Sequence, residues 1–242
     1  MSCTSNDSGN VETDSELLPK TIISIDSGLK ADTVLLSYDQ NKIKSITSKK
    51  NKIYYHYEGN LISKEIYFDI VQGKEIKGTE VNYFYTNGKL ELIKYLDNTS
   101  KYPKKINIRT AYTYLSDTLV KEQGYSTDYL TMIETKDPYY SLLTIKKGNR
   151  IRSVNVNTET GVYSNASNYT YDNMNSPFKN ILGINLLVND PKYSLNNLLS
   201  ISSDSGSNYE LRKYEYNADG YPNLETYHKG GKEVSSTKKY LY

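Results

Sequence analysis

The stretch Val81-Asn82-Tyr83-Phe84-Tyr85-Thr86-Asn87-Gly88-Lys89-Leu90-Glu91-Leu92-Ile93 holds the pattern from which the architecture follows. Tyr83 and Tyr85 are two apart, so in an extended chain both rings lie on one face. Asn87-Gly88 then supplies a tight turn, because Gly takes positive φ without steric cost. The alternating residues beyond it read as a returning strand. The unit is a β-hairpin.

The same doublet occurs six times: Tyr55/Tyr57, Tyr83/Tyr85, Tyr112/Tyr114, Tyr169/Tyr171, Tyr214/Tyr216 and Tyr240/Tyr242. These pairs take twelve of the 26 tyrosines. The doublet recurs after 28 and 29 residues, then after 57, which is nearly two further steps. Degenerate copies at 36–43 and 143–151 fit the same frame, and the second fills the long gap. A period in this range marks a repeat architecture, here a hairpin repeated about seven times.

The hairpins resemble the YD/RHS-type repeats of bacterial surface proteins. More closely, the chain resembles the Tyr-rich lipoproteins of unknown function of the Bacteroidota. Those share Tyr-x-Tyr-x-x-x-Gly-x-Leu hairpins, a Cys at the processed N-terminus and a segment seen here as Ser176-Pro177-Phe178-Lys179-Asn180. The resemblance covers about residues 19–242. It implies a lipid on Cys3 and a place at the bacterial outer membrane, facing the periplasm or the cell surface. The triplets Asp32-Thr33-Val34 and Asp117-Thr118-Leu119 resemble the O-glycosylation site of that phylum; an Asp ending a turn before a β-branched strand residue gives the same pattern and is the preferred reading.

Composition fits this setting. A net charge of +2 with 24% charged residues lacks the basic footprint of a nucleic-acid binder. No apolar run is long enough for a transmembrane helix. With Trp absent and only three Phe, Tyr carries the aromatic packing. Cys3 is the single cysteine, so no disulfide forms within the chain. The polar, acidic residues after it read as a disordered tether over 1–18, ahead of one β-repeat domain over 19–242.

Serial antiparallel hairpins predict a strongly twisted, curled meander, a half-barrel or wrap, with a β-sandwich as the alternative. The repeat breaks at 176–201. Ser176-Pro177 reads as an N-cap with Pro at the first helical position. Apolar residues over 177–187 predict a short helix, and Leu195, Leu198, Leu199 and Ile201 predict further helical turns. This helical insert, near 177–200, would fill the concave side of the sheet.

Catalytic signals are few. His56 and His228 lie in strands, and no nucleophile elbow accompanies them. One Cys and two distant His do not make a zinc site. Asn217-Ala218-Asp219-Gly220 reads as a turn rather than a calcium loop, because the downstream Glu is missing. No metal, cofactor or catalytic residue is assigned. Regular spacing makes the doublets the structural spine of the repeat. The irregular tyrosines Tyr54, Tyr139, Tyr140 and Tyr163 are the candidates for ligand binding. The expected function is a non-enzymatic envelope lipoprotein whose Tyr-rich sheet binds a partner protein or glycan. The alternatives are an accessory part of an envelope complex and a hydrolase working through paired carboxylates.

Overall fold

A computed structural model of the protein describes residues 17–96, 107–128, 130–230 and 233–242. Sixteen strands follow one another: β1 Thr21–Asp26, β2 Ala31–Asp39, β3 Lys42–Thr47, β4 Asn51–Glu58, β5 Leu61–Val71, β6 Lys74–Thr86, β7 Lys89–Leu96 and β8 Asn107–Tyr114, then β9 Leu119–Thr127, β10 Glu134–Lys146, β11 Asn149–Asn157, β12 Tyr163–Tyr171, β13 Leu198–Ser203, β14 Asn208–Tyr216, β15 Pro222–Lys229 and β16 Val234–Leu241. Each pairs antiparallel with its neighbours in the chain. The ring closes where β1 meets β16, through Ile22↔Tyr240 and Ser24↔Lys238.

The architecture is therefore a closed barrel, not an open curled meander, half-barrel or sandwich. Closure gives the first and last strands the ladder partners that an open sheet leaves exposed. The helical insert is corrected too, since the described residues contain no α-helix. The connection from β12 to β13 holds two 3₁₀ turns, Ile184–Leu186 and Pro191–Tyr193. Gly183, at φ 77°, breaks the backbone before the first, and Pro191 opens the second. The apolar cluster read as helical over 195–201 runs instead into strand β13.

The turns after even-numbered strands lie at one end of the barrel, here the turn end. Those after odd-numbered strands lie at the other, the loop end. The chain enters and leaves at the turn end, where Lys20 N donates to Leu241 O at 2.7 Å. Asn87 and Gly88 have φ of 52° and 73°, and Lys147 and Gly148 have 50° and 74°. Two positive φ values are what a two-residue hairpin turn needs.

Six strand pairs at the turn end share a β-bulge. The register slips at Ser37/Tyr38, His56/Tyr57, Phe84/Tyr85, Thr144/Ile145, Thr170/Tyr171 and Glu215/Tyr216. One extra residue on the returning strand bends it, which suits the rim of a barrel. The second tyrosine of a doublet then reaches back to the preceding strand, to the backbone beside the preceding turn. Tyr85 OH donates to Ile62 O at 2.8 Å, and Tyr242 OH donates to Pro222 O at 2.9 Å. Tyr57 OH accepts from Ile43 N at 3.1 Å and donates to Leu182 O at 3.2 Å. The doublets face the interior, where Tyr55, Tyr83, Tyr112 and Tyr240 are buried.

The segment between β12 and β13 folds into the turn end as a plug. Ile181, Ile184 and Leu187 join the core with Tyr55, Leu90 and Ile93. Each such aliphatic side chain, fully buried, contributes about 1.5–3 kcal/mol. Backbone bonds stitch the plug to turns around the ring: Leu182 N to Asn41 O at 2.9 Å, Leu195 N to Gly148 O at 3.4 Å and Asn175 N to Gly220 O at 3.0 Å. Gly183 lies so close to the β4–β5 turn that a Cβ there would stand 2.8 Å from Asn60 O.

Candidate functional site

Plugged at one end, the barrel keeps a cavity of about 630 Å³ inside. That is within the range of small-molecule sites. Its lining is segregated. Ile22, Val34, Ile43, Ile46 and Ile53, from β1 to β4, make an aliphatic wall. Phe178, Ile181, Ile184, Pro191, Lys192 and Tyr193, from the plug, make the floor. Glu210, Arg212, Tyr214, Glu225, Lys238 and Tyr240, from β14 to β16, make a polar wall. The aliphatic and polar walls adjoin at the β1–β16 seam.

The polar wall is an ion-pair ladder. Arg212 Nη2 meets Glu210 Oε2 at 2.6 Å, and Nη1 meets Glu225 Oε1 at 2.6 Å. Tyr240 OH donates to Glu225 Oε2 at 2.6 Å. Burial works against the Arg212 charge, but Glu225 and Glu210 outweigh it and hold its pKa above the ordinary value. Lys238 Nζ stands 3.7 Å from Glu225 Oε2, beyond hydrogen-bond distance. Both carboxylates are spent on one guanidinium, so they do not form the separated acid and nucleophile of a glycosidase.

On the far side of the barrel Glu65 is 2% exposed, and Tyr67 OH donates to its Oε2 at 2.5 Å. Burial pushes the Glu65 carboxyl above its usual range, against that hydrogen bond. Tyr193, on the floor, is pushed up to about 12, chiefly by burial.

The outward face has a different character. Lys52, Lys64, Lys94, Lys121, Lys213 and Lys239 each alternate with an inward neighbour: Ile53, Glu65, Ile93, Val120, Tyr214 and Tyr240. Arg109 pairs across the outside with Glu134 at 2.7 Å. Apolar outward residues such as Ile66, Phe84 and Leu92 are interspersed among these charges rather than gathered in a band. At the loop end, Leu29, Val71, Leu130, Met132, Ile133 and Val162 stand exposed around the mouth.

None of the tyrosines singled out from sequence lines the cavity. Tyr54 faces out, packed edge-on against Phe68 at 5.5 Å and hydrogen-bonded to Glu75 at 3.2 Å. Tyr140 also faces out, with Lys121 Nζ 4.1 Å above its ring. Tyr140 and Tyr163 flank Val156 on adjacent strands, and Tyr139 and Tyr163 are exposed near the loop end. Cys3 lies outside the described residues, as does the tether up to residue 16. Thr33 and Thr118 are both exposed. Among the described residues no group of three or more His, Cys, Asp or Glu is placed to hold a metal ion.

The residues missed were the inward glutamates. Tyr55 pairs with Glu65, Tyr112 with Glu122 and Tyr214 with Glu225. Each Glu follows the first tyrosine of a doublet by ten or eleven residues, a spacing present in the repeat but masked by the attention its tyrosines draw.

Fold and site together define a closed, plugged β-barrel around a cavity with an amphipathic lining. No protein-family model matches the chain, and no curated protein matches it. A solved structure does: a porin-like protein from Bacteroides uniformis ATCC 8492, with a TM-score of 0.51 and 14% identity. The match covers 92% of this chain and 96% of that one. At that identity the likeness is one of fold.

Proposed function

We propose that this protein is a non-enzymatic binding barrel of the bacterial envelope, held at the outer membrane through Cys3, and that it takes a small amphiphile into its interior. The observation that carries this is the plugged cavity with its aliphatic and charged walls side by side. Exposed apolar side chains on the loops around the mouth favour a ligand with a hydrocarbon part. The envelope setting rests on Cys3, the acidic residues behind it and the lipoprotein resemblance of the repeat.

Conduction is disfavoured on physical grounds. A porin turns an apolar band to lipid and a polar lumen to water. Here the lumen holds the tyrosine doublets, the isoleucines of the aliphatic wall and the plug, while lysines from many strands face out. A lysine at a bilayer midplane costs roughly 2–4 kcal/mol, so a lipid-facing arrangement of this exterior is unfavourable.

N-phenylnaphthylamine, a neutral fluorescent amphiphile, tests the reading. The folded protein is expected to bind it saturably at one site. Ser24→Trp, which fills the cavity without displacing a core side chain, is expected to weaken binding at least tenfold. Absence of saturable binding, or stepwise conductance in planar bilayers, would overturn the proposal. A partner protein at the mouth is the second reading, favoured by the exposed rings of Tyr139 and Tyr163 there.

A further inference from the structure

The cavity's polar wall has an unequal balance of used and unused hydrogen-bonding capacity. Glu225 takes Arg212 on one oxygen and Tyr240 on the other, each at 2.6 Å. Glu210 takes the second arm of Arg212 at 2.6 Å. Asp190, on the plug, takes Lys192 Nζ at 2.8 Å. The three cavity carboxylates and two of the three cations are therefore matched to each other at hydrogen-bond length. Lys238 is the exception: among the described residues its one ion-pair contact is the 3.7 Å approach to Glu225, and its side chain is 38% exposed, turned to the cavity. An ammonium has three donors. The accessible unused donors of this wall thus centre on the Lys238 ammonium; Arg212 Nε, also without a partner among the described residues, is buried.

Its neighbour across the seam matters equally. Lys238 pairs with Ser24, and Ile22, the next inward residue of β1, begins the aliphatic wall that continues through Val34 and Ile46. A bound molecule with its anionic end at Lys238 lays its body on that wall without leaving the cavity. Asp32, paired with Ser24 from β2, is exposed.

We propose that the cavity selects an amphiphile with a carboxylate head, held by the Lys238 ammonium, and a hydrocarbon body laid along the Ile22–Val34–Ile46 wall. This rests on the reading of the interior as a ligand site and adds the chemical class of the ligand. Charge-assisted hydrogen bonds are the stronger kind, so loss of the ammonium costs an anionic ligand about tenfold or more in affinity.

The test compares cis-parinaric acid with its methyl ester on the whole protein. The wild type is expected to bind the acid at least tenfold more tightly than the ester. Lys238→Met, which keeps the apolar stem, is expected to bind both at the ester's affinity. Lys238→Arg is expected to retain the preference, and Lys239→Met, on the outside of the same strand, to leave both affinities unchanged. If acid and ester bind equally to the wild type, or Lys238→Met keeps the preference while folded, the head-group assignment is overturned and the cavity reading stands. If neither molecule binds the wild type, the cavity reading falls with it.

Discussion

Glu65 shows what a single residue reveals about the interior. It stands on β5 opposite Tyr55, with Tyr67 two residues on, inside a wall that is otherwise apolar or aromatic. Burial raises its pKa, so the folded protein holds the proton more tightly than the unfolded chain does. Its contribution to stability is then full below the ordinary carboxylate range and is lost as pH rises through the folded value. Glu65→Gln cannot ionise. Thermal melting is expected to show the variant more stable than wild type near about pH 8, the gap closing toward about pH 4. A variant that melts lower at both would mean the carboxylate is needed for its hydrogen bonds rather than tolerated. The sequence told that each doublet shares one face, but not which. The residues between the rings, His56, Phe84, Thr113, Thr170 and Glu215, have no common polarity, so alternation alone carried no sign.

At the scale of the element, the bulge explains both a success and an error. The hairpins were legible because Asn-Gly and Asp-Gly turns punctuate them. The bulges were not. An extra residue after the turn puts inward side chains three apart on the returning strand: Ile43 and Ile46, Leu90 and Ile93, Leu198 and Ile201. Spacing of three is the signature of a helix, and it led the segment near 195–201 to be read as helical. The plug's own turns are short because Gly183 and Pro191 interrupt it, although Ser176 Oγ does accept from Phe178 N at 3.3 Å. Gly183→Ala meets two obstacles at once, a positive φ and the Asn60 carbonyl. Denaturant unfolding is expected to show a loss of about 1–3 kcal/mol. Gly88→Ala, with φ 73° and open space around it, is expected to lose less. Equal losses would show that the plug does not press on the β4–β5 turn.

Closure belongs to the whole molecule and had no local signal. Nothing near Ile22 says that its partner is Tyr240, more than two hundred residues away. The sheet could be counted strand by strand from the sequence, yet whether its two edges meet depends on the bend accumulated at bulges along the whole sheet. Because the two ends of the barrel chain adjoin, a peptide linker from Tyr242 to Lys20 should be tolerated, with new termini opened at Gln72-Gly73, a turn with open space around its glycine. That permutant is expected to elute as the wild type does on size exclusion and to bind N-phenylnaphthylamine equally well. Removal of residues 234–242 takes away β16, leaves β1 and β15 as free edges, and is expected to give aggregates. A well-behaved truncated monomer would show that the seam contributes little.

The turn end holds the plug and also the point where the chain joins the barrel. Fourteen residue steps separate Cys3 from Leu17, a reach of at most about 50 Å. A lipid on Cys3 would therefore attach the barrel at its plugged base, at the end opposite the mouth. Cargo would then arrive at that opposite end. Anchor and entrance would thus sit at opposite ends of one barrel, and cargo could enter without passing the anchor.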